Sequence, residues 1–255
     1  MQSDFLIIEP FNAMFWVLMA ITVIMIIAIA KIFKNKDERT KEIFFYILCG
    51  LNIIGYFVYK HYLSIDAEYD VLRGDYGGFS WWGELPLQLC NINMLLMPLA
   101  VARKDKGLLG FCFFVAPLGA ALAILMPAIG FEGYSILLPR MLGFYGTHLL
   151  IVVEAISLMT LGFYYPDIKT MPQIISRMLI VSVCVFAFNL FLIHTGLYPQ
   201  ANYFYMMDPE GNSVLEMFKS WIPYPFLYCL PGLVVLIVYM IVVCFVVSLF
   251  GKRNK

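Results

Sequence analysis

Seven stretches of this sequence, residues 11–33, 43–59, 82–102, 108–126, 141–163, 178–194 and 222–250, each contain at most one Asp, Glu, Lys or Arg. A helix needs about 20 mostly apolar residues to cross the hydrocarbon core of a bilayer, because it rises only about 1.5 Å per residue. Lipid offers the backbone no hydrogen-bond partner, so apolar segments of this kind cross as helices. The expected fold is all-α: a polytopic membrane bundle of seven transmembrane helices forming one domain over residues 1–255. Stretches 43–59 and 178–194 are the shortest, and flanking Tyr and Lys residues serve them as interfacial anchors. With 13% of its residues charged, against roughly a quarter in a soluble domain, the chain is not read as water-soluble.

Alternating the seven stretches across a bilayer sends residues 34–42, 103–106, 164–177 and 252–255 to one side, which with Lys31 holds most of the Lys and Arg. The other side holds Lys60, Arg73, Arg140 and Lys219 among Asp66, Glu68, Asp70, Asp75, Glu132, Asp208, Glu210 and Glu216. By the positive-inside rule the first side is cytoplasmic, which puts the N-terminus outside and the C-terminus in the cytoplasm. Asp4 and Glu9 stand where a cleaved signal peptide would carry its basic region, so the first stretch is expected to be a permanent helix. A net charge of zero points to no nucleic-acid partner. All six cysteines (Cys49, Cys90, Cys112, Cys184, Cys229 and Cys244) fall inside apolar stretches and read as separate buried thiols. Two outer connections are long: 61–81, which contains Gly74, Gly77 and Gly78, and 195–221. Each is expected to cap a cavity that opens outward.

Ionisable and amide side chains inside a span are costly and tend to face a cavity or a partner. The third stretch carries Glu84, Gln88, Cys90, Asn91 and Asn93 within three turns. The fifth carries His148 and Glu154, the second Asn52, and the sixth Asn189 and His194. Helical rise places Cys90 and His148 each roughly 12 Å below the outer ends of their stretches, and Asn189 roughly 8 to 10 Å below its own. A thiol, an imidazole and an amide at similar depth are what a cysteine nucleophile, its base and an orienting group require. The plainer reading is that a buried cysteine is a small hydrophobe and that a His with an Asn is interhelical hydrogen-bond glue. Coincident depth and the polarity crowded around Cys90 set the two readings level. Glu154, about 9 Å deeper than His148 and a third of a turn away, is expected to be a protonated acid or a partner of Asn52. Glu84 reads as a solvated helix start, and His61 and His194 as side chains reaching water.

Leu85, Pro86, Leu87, Gln88, Leu89 and Cys90 resemble the signature of the YwaF-like family of bacterial integral membrane proteins. Phe144, Tyr145, Gly146, Thr147 and His148 resemble its histidine segment, and Asn202, Tyr203, Phe204, Tyr205 and Met206 its Asn-Tyr outer-loop motif. Pro209, Ser213, Leu215, Trp221, Pro223, Tyr224, Pro225 and Tyr228 resemble the stretch leading into its last helix, so the likeness runs from about Trp82 onward. That family is related to a eukaryotic transmembrane acyltransferase that moves polyunsaturated acyl chains from phosphatidylcholine to lyso-ether phospholipids through a cysteine centre with a histidine. Its fold is similar to that of intramembrane threonine hydrolases that cleave fatty acid esters of hydroxy fatty acids. The resemblance implies Cys90 as nucleophile and His148 as base. The chain departs from the pattern at Gln88, where the family often has His, and at Asn91, where it often has an acid.

The expected function is lipid acyl transfer or ester hydrolysis on the outer-leaflet side of a multi-pass plasma-membrane protein, through an acyl-thioester on Cys90. Gln88, Asn91, Glu154, Asn189, Asn202 and Tyr203 are the binding or orienting candidates, with Gln88, Asn91 and Asn202 considered as oxyanion donors. Membrane phospholipids and lysophospholipids are the expected partners, and no metal or cofactor is expected. The alternative is a non-enzymatic lipid or small-solute binding or transport protein, which helix interruptions at Pro117, Pro223, Pro225 and Pro231 would suit. The chain has neither an inverted repeat nor a charged pathway to support it. The last stretch lacks a Lys for a retinal Schiff base.

Overall fold

The computed structural model describes residues 4–72, 74, 78–128 and 130–251. Arg73, Asp75, Gly77 and the cytoplasmic assignment of 252–255 lie outside the described residues. The helices run in the order α1 (Ala13–Phe33), α2 (Glu38–Ser64), α3 (Ala67–Leu72), α4 (Ile92–Arg103), α5 (Lys106–Leu125), α6 (Pro139–Thr160), α7 (Met171–His194), α8 (Ser213–Trp221) and α9 (Leu230–Gly251). Among the described residues six are long and apolar enough to cross a membrane: α1, α2, α5, α6, α7 and α9.

Where a third continuous helix was expected, residues 80–91 run as turns and bends, and only the short α4 is helical. Local chemistry accounts for this correction. Pro86 has no N–H to donate and disfavours a helical conformation at Leu85, while Gly83 adds backbone freedom. The last helix likewise begins eight residues later than the apolar stretch 222–250 suggests, at Leu230. Ile222 is extended, Pro223 and Pro225 follow, and Phe226 takes a left-handed φ of 64°. Pro231 then sits in the first turn of α9, where a missing N–H costs nothing.

Polar residues at the ends mark where the long helices start. Asn12, Asp37 and Asp105 accept hydrogen bonds from the first-turn N–H groups of α1, α2 and α5. Lys104, left-handed at φ 50°, closes α4 directly before that last cap, so α4 and α5 form a tight hairpin. Asp105 also pairs with Arg177 of α7 at 2.9 Å, joining two residues assigned to the same face of the membrane. At the opposite end Arg140, 2% exposed, pairs with Asp66 and Glu68 at 2.9 Å each. Partial burial works against ionisation of Asp66, but the Tyr69 N–H and the Arg140 guanidinium outweigh it and hold the carboxyl below its ordinary range. Strand β1 (Ile7–Ile8) pairs antiparallel with β2 (Tyr134–Ser135), which brings the segment before α1 to the same end as Arg140.

Helix α6 lies at the centre, packed against α1, α2 and α5, with Met141, Ile151, Ala155 and Leu158 fully buried. By contrast α9 shows Val234, Val235, Val238, Val242 and Phe245 outward. Such a surface fits hydrocarbon rather than water. Helix α6 comes tight against α2 at Gly143, where an added Cβ would stand 2.2 Å from Tyr59 Cβ. That atom sits at the root of its side chain and cannot swing aside. Gly143→Ala is therefore expected to overpack the contact and destabilise the protein by about 1–3 kcal/mol. Thermal unfolding of the purified protein in detergent would measure the loss, and an unchanged midpoint would contradict this packing.

Candidate functional site

The 80–91 turn delivers Cys90 just before α4 begins. Its Sγ lies 3.4 Å from Nε2 of His148 on α6, and both side chains are buried. His148 Nδ1 lies 2.7 Å from the Phe144 carbonyl, one turn earlier on the same helix. A carbonyl only accepts, so Nδ1 carries the proton and Nε2 turns a lone pair towards the thiol. The S–H then donates to Nε2, which is the tautomer a general base needs. Packing holds the ring as well: it lies 4.5 Å from the Phe144 ring, which is stacked on Phe131. Cys90 stands immediately before α4, at the helix end whose unpaired N–H donors favour negative charge. Gly119 of α5 faces the Cys90 backbone, and a Cβ there would stand 3.4 Å from Cys90 Cα.

Cys90 and His148 meet, in keeping with their matched depth, but Asn189 does not join them. Its Nδ2 donates to the Tyr203 carbonyl and its Oδ1 accepts from the Tyr203 N–H, both at 2.9 Å. Tyr203 in turn donates its hydroxyl to the Trp82 carbonyl and accepts from the Leu85 N–H at 3.2 Å. Gln88 Oε1 accepts from the Phe204 N–H at 3.1 Å. Asn189 and Tyr203 thus fasten the 80–91 turn to α7, and the group orienting His148 is a carbonyl of its own helix. Phe204 and Tyr205 take positive φ angles of 62° and 53°, unusual for residues with a Cβ. The bonds around them, including one from the Tyr228 hydroxyl to the Tyr205 carbonyl, offset that strain.

The other candidates separate from the pair. Asn202 accepts from the Met207 and Asp208 N–H groups and donates to the Asp208 carbonyl and Glu210, so its amide shapes its own loop. Asn91 is buried beside Cys90, and its Oδ1 has no hydrogen-bond partner among the described residues. Glu154 is fully buried next to Asn52, in a separate polar cluster with Cys49 nearby; neither the carboxyl nor the amide completes a well-formed hydrogen bond. Two cysteines depart from the expectation of burial, since Cys184 is exposed and Cys229 half-buried.

Glu84 is not a solvated helix start. It is 8% exposed and meets Lys60 Nζ at 2.5 Å, while the Tyr56 hydroxyl donates to the Glu84 carbonyl at 2.9 Å. Lys60 is 6% exposed, because α2 continues past the apolar stretch to Ser64 and carries it inside. Its ammonium lies 4.5 Å from the centroid of Tyr59. The four-residue spacing of Tyr56 and Lys60, opposite the one acid of the third stretch, was the signal available in the sequence. Asn189→Ala is expected to leave the buried N–H and C=O of Tyr203 unpaired, destabilising the protein by about 1–3 kcal/mol in denaturant or thermal unfolding. If Asn189 instead served His148 directly, stability would hold and only Cys90 reactivity would change.

A family model, that of the TMEM164 family, matches residues 9–245. No curated protein and no solved structure matches this chain.

Proposed function

This chain belongs to the TMEM164 family, and on that premise we propose that it is an intramembrane lipid acyltransferase or lipid ester hydrolase working through Cys90 and His148. The observation that carries this reading is the 3.4 Å contact between Sγ and Nε2, made with the His148 tautomer held by the Phe144 carbonyl. In the proposed cycle the thiol proton passes to Nε2 as the sulfur attacks an acyl ester carbonyl. The ester C–O bond breaks, and His148 returns the proton to the departing oxygen, leaving an acyl-thioester on Cys90. His148 next takes a proton from a lysolipid hydroxyl or from water, whose oxygen attacks the thioester. The acylated product leaves and the thiol regains its proton. The backbone N–H groups of Cys90 and Asn91, at the start of α4, are the proposed oxyanion donors, in place of the side chains of Gln88 and Asn202, which bond to the protein's own backbone.

The wider setting belongs to the same proposal. The chain is one domain of seven spans, the third made of the 80–91 turn and α4, with the N-terminus outside, the C-terminus in the cytoplasm and the site on the outer-leaflet side of the plasma membrane. Phospholipids and lysophospholipids are its acyl donors and acceptors. The likeness of Leu85–Pro86–Leu87–Gln88–Leu89–Cys90 and of the His148 segment to YwaF-like proteins supports this reading.

The interrupted third segment also suits a second reading, in which the same polar groups line a binding or transport site for a lipid or small solute. A clickable phospholipid acyl donor separates the two. Wild-type protein is expected to acquire a hydroxylamine-labile acyl group on Cys90, Cys90→Ser to acquire none, and His148→Ala to be slowed by about 10²–10⁴-fold. Labelling that survives both substitutions would remove the enzymatic reading.

A further inference from the structure

A buried ion pair requires both charges to leave water, and it is often no more stabilising than an apolar pair of the same size. Finding one on the turn that carries a candidate nucleophile therefore asks for a use other than stability. Lys60 and Glu84 meet at 2.5 Å with little exposure on either side. Helix α2 grips Glu84 twice, through Lys60 at the carboxylate and through the Tyr56 hydroxyl at the backbone carbonyl. The gripped residue stands six positions before Cys90, on the turn that presents the thiol. The Lys60 ammonium is braced against the Tyr59 and Tyr56 rings, 4.5 and 5.2 Å from their centroids.

We propose that Lys60 and Glu84 are positioning residues of the Cys90 centre: Glu84 ties the thiol-bearing turn to α2, and Lys60 holds a positive charge that favours the thiolate. The inference rests on reading Cys90 as the nucleophile. A cation near the sulfur makes deprotonation easier, and the same cation near the imidazole disfavours its protonated form. The first effect assists attack by the sulfur, and the second makes His148 a readier donor when it returns the proton to the departing oxygen. Glu84 sets the strength of the effect, because its carboxylate cancels part of the Lys60 field at distances beyond the pair. In the poorly polarisable interior such a field is weakened less than it would be in water.

The test is the rate of Cys90 alkylation by iodoacetamide as a function of pH, read by peptide mass spectrometry on the full chain in lipid nanodiscs. Reduced glutathione alkylated in parallel serves as the reference thiol. Lys60→Met is expected to slow Cys90 at pH 8 by about tenfold, the effect of one unit in thiol acidity, and to move its profile to higher pH. Glu84→Gln is expected to move the profile the other way, since the lysine charge is then unopposed, and Lys60→Arg to keep the wild-type profile. A purely structural pair would shift both neutralising variants in the same direction, or lower the melting temperature with the profiles unchanged. Either result would overturn the proposal. Should Lys60→Met fail to fold, Glu84→Gln decides alone: a shift to lower pH supports the assignment, and no shift or an upward one refutes it. Because alkylation needs no lipid substrate, opposite shifts without acyl labelling of the wild type would retain the charge device while removing the acyl-transfer reading.

Discussion

Backbone that leaves the helical conformation inside an apolar bundle must find partners for its N–H and C=O groups elsewhere in the protein. In this chain that requirement falls on residues 80–91, and side chains from three other segments meet it. The Tyr203 hydroxyl serves Trp82 and Leu85, the Tyr56 hydroxyl serves Glu84, and Asn93 serves the Leu89 carbonyl. Tyr203 is itself held by both ends of the Asn189 amide. The place of Cys90 thus depends on a relay running from α7 through the 3-10 turn (Tyr203–Tyr205) to the broken third segment, with α2 gripping the same segment from the other side. A continuous helix there would have satisfied its own backbone and needed none of this.

The relay is what allows the thiol to stand at a helix end. A cysteine in mid-helix has its neighbouring N–H groups engaged in the i to i−4 ladder. One just before a helix has N–H groups to offer a charge. The fixed partner on the other side, His148, lies well inside the long regular helix α6, where its ring can be oriented by a carbonyl one turn away. Unlike an acid in that position, a carbonyl selects the tautomer without adding negative charge. Irregular backbone carrying the thiol and regular helix carrying the base divide the work between a part that had to be tied down and a part that was already rigid.

Much of this was legible in order of increasing range. Six of the seven apolar stretches correspond to the long helices, because span length and apolarity are properties of consecutive residues. The depth argument brought Cys90 and His148 together because helical rise is nearly constant, and an error of one or two residues moves a side chain by only a few ångströms. It failed for Asn189, since depth says nothing about azimuth, and this amide faces Tyr203. Glu84 and Lys60 were misplaced for a related reason. A carboxylate near the end of an apolar stretch and an ammonium just past one both read as solvated until α2 is seen to continue to Ser64.

The sequence by itself determined a membrane-spanning helical chain and a cysteine and a histidine at one level. These follow from hydropathy, periodicity and local hydrogen-bonding preference, all of which act over a few neighbouring residues. Only the tertiary structure decided that the third segment is broken at Cys90, that Asn189 and Tyr203 are its anchors, and that a lysine and a glutamate meet beside the thiol. Those outcomes hang on bonds between residues 14 to 121 positions apart in the chain, whose geometry exists only after the helices have packed.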